Sequence, residues 1–225
     1  MGFLSHRLET IAECVREGAK VCDIGTDHGY LAVFLKQTGK AKSVIATDLN
    51  PLPLKRAEKN IALSGVKGIE LRLCDGLSGI KPYECDTVII AGMGGEVISH
   101  ILKNGDHITT VGGVRLILQP TTSPEALRQF LCENGYEIKR ELPVCENRKL
   151  YSVMVCEHLG KPHTKHCGFY YTGLIKPDCD EAVAYLKKQQ KRCFDCIKAL
   201  EGLEQSRELY LHYKSVYDYI TQILV

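Results

Sequence analysis

Between residue 5 and about residue 158 the sequence alternates between two periodicities: short β-branched or aliphatic runs, and longer stretches whose apolar residues recur every three or four positions. Few folds accept such a chain. Runs without a polar face must be covered on both sides, and amphipathic helices between successive strands do this by wrapping a parallel sheet. The first helix is expected to start at Ser5, to bury Leu8, Ile11, Ala12 and Val15, and to stop at Gly18. Strand one follows at about 20–24, a helix at 29–38, and a second strand, "SVIATD", at 43–48. Asn50 and Pro51 open a helix that runs to Gly65. "IELRLCD" and "CDTVIIAG" read as strands three and four, 95–103 as a helix, and "VRLILQP" as strand five; Ser123 and Pro124 begin a helix that stops near Gly135.

Two further strands, "YEIKREL" and "LYSVMVCEH", are joined only by "PVCENRK", which has no room for a crossover helix, so they must pair antiparallel. The expected class is α/β: a Rossmann-like seven-stranded sheet with an antiparallel last strand. In this order of elements the chain resembles the class I S-adenosylmethionine methyltransferases, whereas dehydrogenase Rossmann domains usually lack the terminal hairpin. Past residue 160, "GKPHTKHCGFYYTGLIKPD" reads as a linker that lies on the first domain. Beyond Asp178 the pattern is helical. Ala182, Leu186, Cys193, Ile197 and Leu200 form one apolar seam, and Leu209, Tyr213, Val216, Ile220 and Ile223 another, with Gly202 and Ser206 between them. Residues 1–160 are thus expected to form the catalytic domain, and 161–225 a linker and a coiled-coil-like helical hairpin.

Composition excludes several classes. The 225 residues are 44% hydrophobic and 25% charged, as in a soluble globular protein. A net charge of +2 neither requires nor forbids a nucleic-acid partner, because clustering of Lys and Arg matters more than their sum. No window approaches a membrane span, "MGFLSHRLET" has no signal-peptide core, and His6 breaks the myristoylation pattern, so a cytoplasmic protein without membrane contact is expected. The 11 cysteines are scattered through strands and helices and read mostly as small buried hydrophobes.

In a doubly wound sheet, ligands bind beyond the carboxyl ends of the strands. The segments expected there are "DIGTDHG", "TDLN", "CDG" and "AGMGG". Within "VCDIGTDHGY", Gly25 permits the tight turn and Gly29 lets the next helix approach, but the dinucleotide fingerprint G-x-G-x-x-G is absent. Asp23 can accept hydrogen bonds from a ligand ammonium, Asp48 from ribose hydroxyls, and Asp75 from an adenine amino group; each acid alone also suits a loop cap. "AGMGG", at 91–95, offers backbone amides and one flexible thioether to a planar ligand, or the glycine-rich start of a helix before Glu96.

"VCDIGTDHGYLAVFL", "IATDLNPLPLKRAEKNI", "LRLCDGL" and "IIAGMGGEVISHIL", followed by the helical extension, resemble the bacterial tRNA adenine-22 N1-methyltransferase family. The resemblance covers essentially the whole chain. It implies methyl transfer from S-adenosyl-L-methionine to N1 of an adenine in the D-arm region of tRNA. By family motif it assigns Asp23, Gly25, Thr26, His28, Gly29, Asp48, Leu49, Asp75, Gly76 and Gly92 to the cofactor. Asp27, Met93 and Gly94 are assigned to the reacting base. Adenine N1 carries no proton at neutral pH, so the task is positioning, and a carboxylate at Asp27 is suited to orient the base and stabilise the cationic product. A helix cap or a strained turn residue is the alternative reading of Asp27.

RNA contacts are expected from Arg7 and from Lys187, Lys188, Lys191 and Arg192 on the hairpin, with Arg148 and Lys149 as further candidates. Cys193 and Cys196 have C-x-x-C spacing, but Cys193 falls on the apolar seam and no second such pair exists, so no metal is expected. A monomer or weak dimer is expected. Three rival functions remain: methylation of another RNA or a small molecule, a nicotinamide-dependent oxidoreductase, and a non-catalytic RNA-binding protein with a degenerate pocket.

Overall fold

The structure is a computed structural model that describes residues 4–225. Met1 to Phe3, and with them the first positions of the expected catalytic domain and of the N-terminal reading, lie outside the described residues. Helix α1 (His6–Glu13) leads into β1 (Ala19–Ile24), α2 (Tyr30–Gln37), β2 (Ala41–Asp48), α3 (Pro51–Ser64) and β3 (Ile69–Leu73). Then come β4 (Thr87–Gly94), α4 (Gly95–Asn104), the short α5 (Asp106–Thr109), β5 (Arg115–Thr122) and α6 (Pro124–Glu133). A hairpin of β6 (Tyr136–Glu146) and β7 (Lys149–His158) closes the sheet, and α7 (Cys167–Thr172), α8 (Asp180–Leu200) and α9 (Arg207–Leu224) complete the chain.

The seven strands lie in the order β3-β2-β1-β4-β5-β7-β6. Strands β1 to β5 pair parallel, and β7 runs antiparallel to both β5 and β6. One face of the sheet buries Val21, Ile89, Ile117 and Val155 against α1 and α2, and the other buries Ile90, Leu116 and Leu118 with Ile98, Leu102 and Leu127. "PVCENRK" is mostly strand rather than connection. Asn147 and Arg148 alone make the turn, at φ 50° and 62°, the left-handed pair a two-residue hairpin requires. Pro143 is tolerated within β6 because that strand lies at the sheet edge, where an N–H is dispensable.

The expected linker contains a helix, α7, and does lie on the sheet domain. Its attachment is made by Arg128 on α6, whose side chain is fully buried. Arg128 Nε and Nη2 donate to Glu141 Oε1 at 3.1 and 2.7 Å, and Nη1 to the carbonyls of Tyr170 and Tyr171 at 2.6 and 3.2 Å. Nη2 also reaches Tyr185 Oη on α8 at 2.8 Å. Glu141 Oε2 accepts from the Leu174 amide at 3.1 Å. One guanidinium therefore joins α6, β6, α7 and α8, with all its donors satisfied in a site where an unpaired charge would be costly. Around it Tyr171, Ile175, Leu186, Val216 and Ile220 form a third core.

The hairpin seam closes over Ala182, Leu186, Cys193, Val216 and Ile220. Leu209, expected on the seam, is 47% exposed in the first turn of α9, beside the connecting residues 201–206. Among the described residues no helix is long and apolar enough to cross a membrane.

Candidate active site

A cavity of about 550 Å³ opens beyond the carboxyl ends of β1, β2, β3 and β4. It gathers Asp23, Gly25, Thr26, Asp27, His28, Asp48, Leu49, Asp75, Gly76, Gly92 and Met93 from segments far apart in sequence. Of the expected pocket residues, Gly29 and Gly94 stand just outside the lining. Gly29 is left-handed at φ 71°, and a Cβ there would lie 3.1 Å from Ala57 Cβ, so its role is close packing of the loop onto α3. A Cβ on Gly94 would lie 3.0 Å from Thr122 Oγ1 on β5.

The turn after β1 is held from both sides. Gly25 and Thr26 donate their amides to the Thr47 carbonyl, each at 2.9 Å, and Asn60 Nδ2 donates to the His28 carbonyl at 2.9 Å. Gly25 is left-handed at φ 73°, and a side chain there would collide with the Met93 methyl. The thioether thus lies directly over the turn. Strand four, expected to end at Gly92, runs on through Met93 and Gly94 as β4, paired to β5 with its register interrupted at Met93. The glycines there serve two purposes. Gly92, at φ 80°, bends the strand, and Gly95 allows α4 to approach the Ser123 carbonyl.

Asp23 is 4% exposed, and its Oδ2 accepts from Thr26 Oγ1 at 2.7 Å. Burial pushes its carboxyl up to about 6, with the nearby Asp48 charge adding to the effect and the Thr26 bond opposing it. Because the folded-state value exceeds the ordinary 3.8, stability from this group is full below pH 3.8 and lost as pH rises through 6. The ligand-free protein therefore carries a cost of about 3 kcal/mol at neutral pH, which a cation beside Asp23 would offset. Asp23→Asn is expected to raise the unfolding temperature of ligand-free protein more at pH 8 than at pH 5. An equal shift at both values would contradict this origin.

Asp27 stands differently. Its backbone is left-handed at φ 51°, and its side chain is 59% exposed at the cavity mouth, 3.4 Å from His28 Nε2. The His28 ring stacks on Tyr30 at 5.3 Å. Asp48 Oδ1 accepts from the Asn50 amide at 2.9 Å, which orients the carboxylate at the entry to α3. Asp75 is exposed on the cavity wall, beside Gly76, whose left-handed turn packs on Ile101.

Two residues at or behind the cavity wall escape sequence reasoning. Gln119 is fully buried; its Oε1 accepts from the Gly92 amide at 3.1 Å and from Arg7 Nη1 at 2.7 Å. Its one signal is a lone amide in the apolar run "RLILQP". Thr47 is fully buried on the cavity wall, with Oγ1 lacking a partner among the described residues.

The expected RNA contacts do not form one patch. Arg7 lines the cavity, its Nε bound to Glu146 Oε2 at 3.1 Å. Lys188 Nζ donates to the Leu150 carbonyl at 3.0 Å, and burial lowers its pKa. Arg192 pairs with Glu125 at 2.8 Å and covers the Tyr171 ring. Lys187 is exposed, and Lys191 lies 3.2 Å from Asp195 on the outer face of α8. Cys193 is buried in the seam, and no metal-holding group of three or more His, Cys, Asp or Glu occurs among the described residues.

This sheet order, with a glycine turn after β1 and acids at the ends of β1, β2 and β3, defines a Rossmann-like class I methyltransferase. Residues 4–154 match the family described as methyltransferase domain. Over 155 residues the chain is 40% identical to the tRNA (adenine(22)-N(1))-methyltransferase of Bacillus subtilis, an alignment covering 68% of this chain and 65% of that protein. The crystal structure of the Bacillus subtilis M1A22 tRNA methyltransferase TrmK superposes with a TM-score of 0.87 at 29% identity over 99% of both chains. A Streptococcus pneumoniae protein assigned as a tRNA (m1A22) methyltransferase matches at 30% identity and a TM-score of 0.86 over 99% of this chain and 100% of its own, and has also been crystallised with S-adenosyl-L-methionine. The chain belongs to the tRNA (adenine-22-N1)-methyltransferase family.

Proposed function

We propose that this chain transfers a methyl group from S-adenosyl-L-methionine to N1 of adenine 22 in tRNA. The observation that carries the reading is likeness over the whole chain, helical hairpin included, to structures of tRNA (m1A22) methyltransferases. The aligned sequence segment spans just under two thirds of the curated Bacillus subtilis relative, so the activity rests on this structural likeness as well.

The cavity fits the cofactor on its own terms. A buried acid, Asp23, faces it without a cation, and the Thr47 hydroxyl is buried on its wall without a partner among the described residues. Asp23 would hold the ammonium, Asp48 the ribose hydroxyls and Asp75 the adenine amino group. The cofactor supplies an electrophilic methyl on a sulfonium. The substrate N1 has a free lone pair, so the protein's task is to hold the base in line and to exclude water. Asp27, at the mouth, would orient the 6-amino and N1 edge, and its carboxylate would stabilise the positive charge that develops on the ring. The adenine must turn out of the folded RNA to reach this depth, which makes RNA deformation part of selectivity. Lys187 and Lys191, on the outer face of α8, are the hairpin cations best exposed to meet backbone phosphates.

Incubation with labelled S-adenosyl-L-methionine tests the reading. Unmodified tRNA with adenine 22 should be labelled, and the same tRNA with guanine there should not. Equal labelling of both would overturn the site assignment.

A further inference from the structure

We infer that the cleft between the end of β5 and α8 holds a nucleotide adjoining the adenine to be methylated, with its phosphate on Lys188 and Arg192 and its ribose or base edge on Gln189. The inference rests on the proposed tRNA reading and extends it from the reacting base to the strand that carries that base.

The cleft exists because two neighbouring strands part. β5 and β7 are paired from Arg115 and Glu157 to Leu118 and Met154, and no further. Beyond that point β5 stays with β4 as far as Gly94 and Thr122, while the first residues of β7 stay with β6. Pro120, which has no N–H to donate, stands just past the last paired residues. The gap that opens has a volume of about 310 Å³ and is walled by residues 120–124 and 150–152. Helix α8 closes its third side with Tyr185, Lys188, Gln189 and Arg192, which recur at helical spacing on one face.

This place lies beside the proposed base site. Gly94 pairs with Thr122, one strand spacing of roughly 4.8 Å away, and a Cβ on Gly94 would lie 3.0 Å from Thr122 Oγ1. An RNA strand that turns its adenine in over Met93 and Gly94 therefore carries a neighbouring nucleotide to the edge of the cleft.

The lining has the chemistry for that nucleotide. Gln189 is only 4% exposed, yet its carboxamide lines the cleft and has no hydrogen-bond partner among the described residues. A buried amide in that state favours a ligand that both donates and accepts, as a ribose 2′-hydroxyl or a base edge does. Two cations stand one turn apart beside it. Lys188 Nζ donates to the Leu150 carbonyl and Arg192 Nη2 to Glu125 Oε1, and each head group keeps further donors. Burial, and after it the Arg192 charge, lowers the pKa of Lys188; a phosphate between the two cations would oppose both effects. Lys187 and Lys191, on the outer face of α8, do not line this cleft.

Binding of unmodified tRNA across a salt series, with wild type, Gln189→Leu and Lys188→Gln, tests the inference. Gln189→Leu should weaken binding roughly 5- to 10-fold with the salt slope unchanged, while the unfolding temperature of the free protein stays level or rises, because an unpartnered buried amide is removed. A merely structural glutamine would give the opposite sign in stability. Lys188→Gln should lower the slope of log affinity against log salt by about 1. Photo-crosslinking wild type to tRNA with 4-thiouridine on either side of adenine 22 should label residues 120–124, 150–152 or 185–192, and this arm stands even if a variant folds poorly. Wild-type affinity in Gln189→Leu, or crosslinks confined to other segments of a wild type that methylates tRNA, overturns the inference alone. A wild type that neither binds nor methylates tRNA overturns the proposed function, and this inference with it.

Discussion

Asp27→Ala is expected to lower methyl transfer to tRNA by roughly 10²- to 10³-fold, with S-adenosyl-L-methionine affinity within about twofold of wild type. The asymmetry follows from placement. Asp23, Asp48 and Asp75 line the cavity walls at three strand ends, whereas Asp27 projects from the turn at its mouth, 59% exposed and 3.4 Å from His28 Nε2. On the proposed reading a carboxylate there would act on the positive charge that develops on the base during transfer, so its removal should reduce the rate more than the binding of either reactant. Asp27→Asn separates orientation from charge, since the amide still accepts a hydrogen bond. Single-turnover rates with saturating tRNA, together with calorimetric cofactor affinity, are the measurements. If Asp27→Ala turns over at the wild-type rate, the catalytic role is gone and the left-handed residue is only a turn. Relief of backbone strain by Asp27→Gly would then be its sole effect, seen in stability without any change in rate.

Arg128→Leu is expected to be the most destabilising single change, by about 3–5 kcal/mol. It would leave the Glu141 carboxylate fully buried without its guanidinium, and release the Tyr170 and Tyr171 carbonyls and Tyr185 Oη together. In a chain of this size the loss corresponds to a fall of roughly 10 °C or more in unfolding temperature. Replacing Glu141 by leucine as well should recover most of it, because the cost lies in the stranded charge rather than in the absent pair. A fall equivalent to less than about 1 kcal/mol would mean that Glu141 finds another partner. Removal of residues 179–225 belongs to the same logic. The residues proposed to hold the cofactor lie outside that segment, but the cut would uncover Tyr171 and Ile175 and take Tyr185 from Arg128, so charge reversal at Lys187 and Lys191 isolates RNA affinity more cleanly.

Much of the sheet was legible from residue pattern. Each of the five parallel strands falls within a few residues of its expected place, as do the helix starts after Ser5, Asn50 and Ser123, although none of these three side chains makes a capping hydrogen bond, because strand and helix periodicities are local properties. The errors are tertiary. Strand four reads as ending at Gly92, yet Met93 and Gly94 extend β4, since β5 supplies pairing partners that no local signal announces. "PVCENRK" reads as a connection, yet sheet-edge pairing absorbs its proline. Leu209 fits the helical period but stays half exposed in the first turn of α9.

The candidate site divides in the same way. Sequence by itself determined the α/β class, the strand ends at which ligands gather, and the acids Asp23, Asp27, Asp48 and Asp75 as the groups with chemistry to offer. Those follow from covalent order: an acid after a strand in a doubly wound sheet stands at the ligand edge. Only the tertiary structure decided that Met93 lies over Gly25, that Gln119 ties Arg7 to Gly92, and that Arg128 fastens the hairpin to the sheet. Arg7 shows the reason. A basic residue near a helix start reads as a surface charge until the fold lays it against Gln119 and Glu146, 112 and 139 residues away, and the energy of a charge depends on what surrounds it.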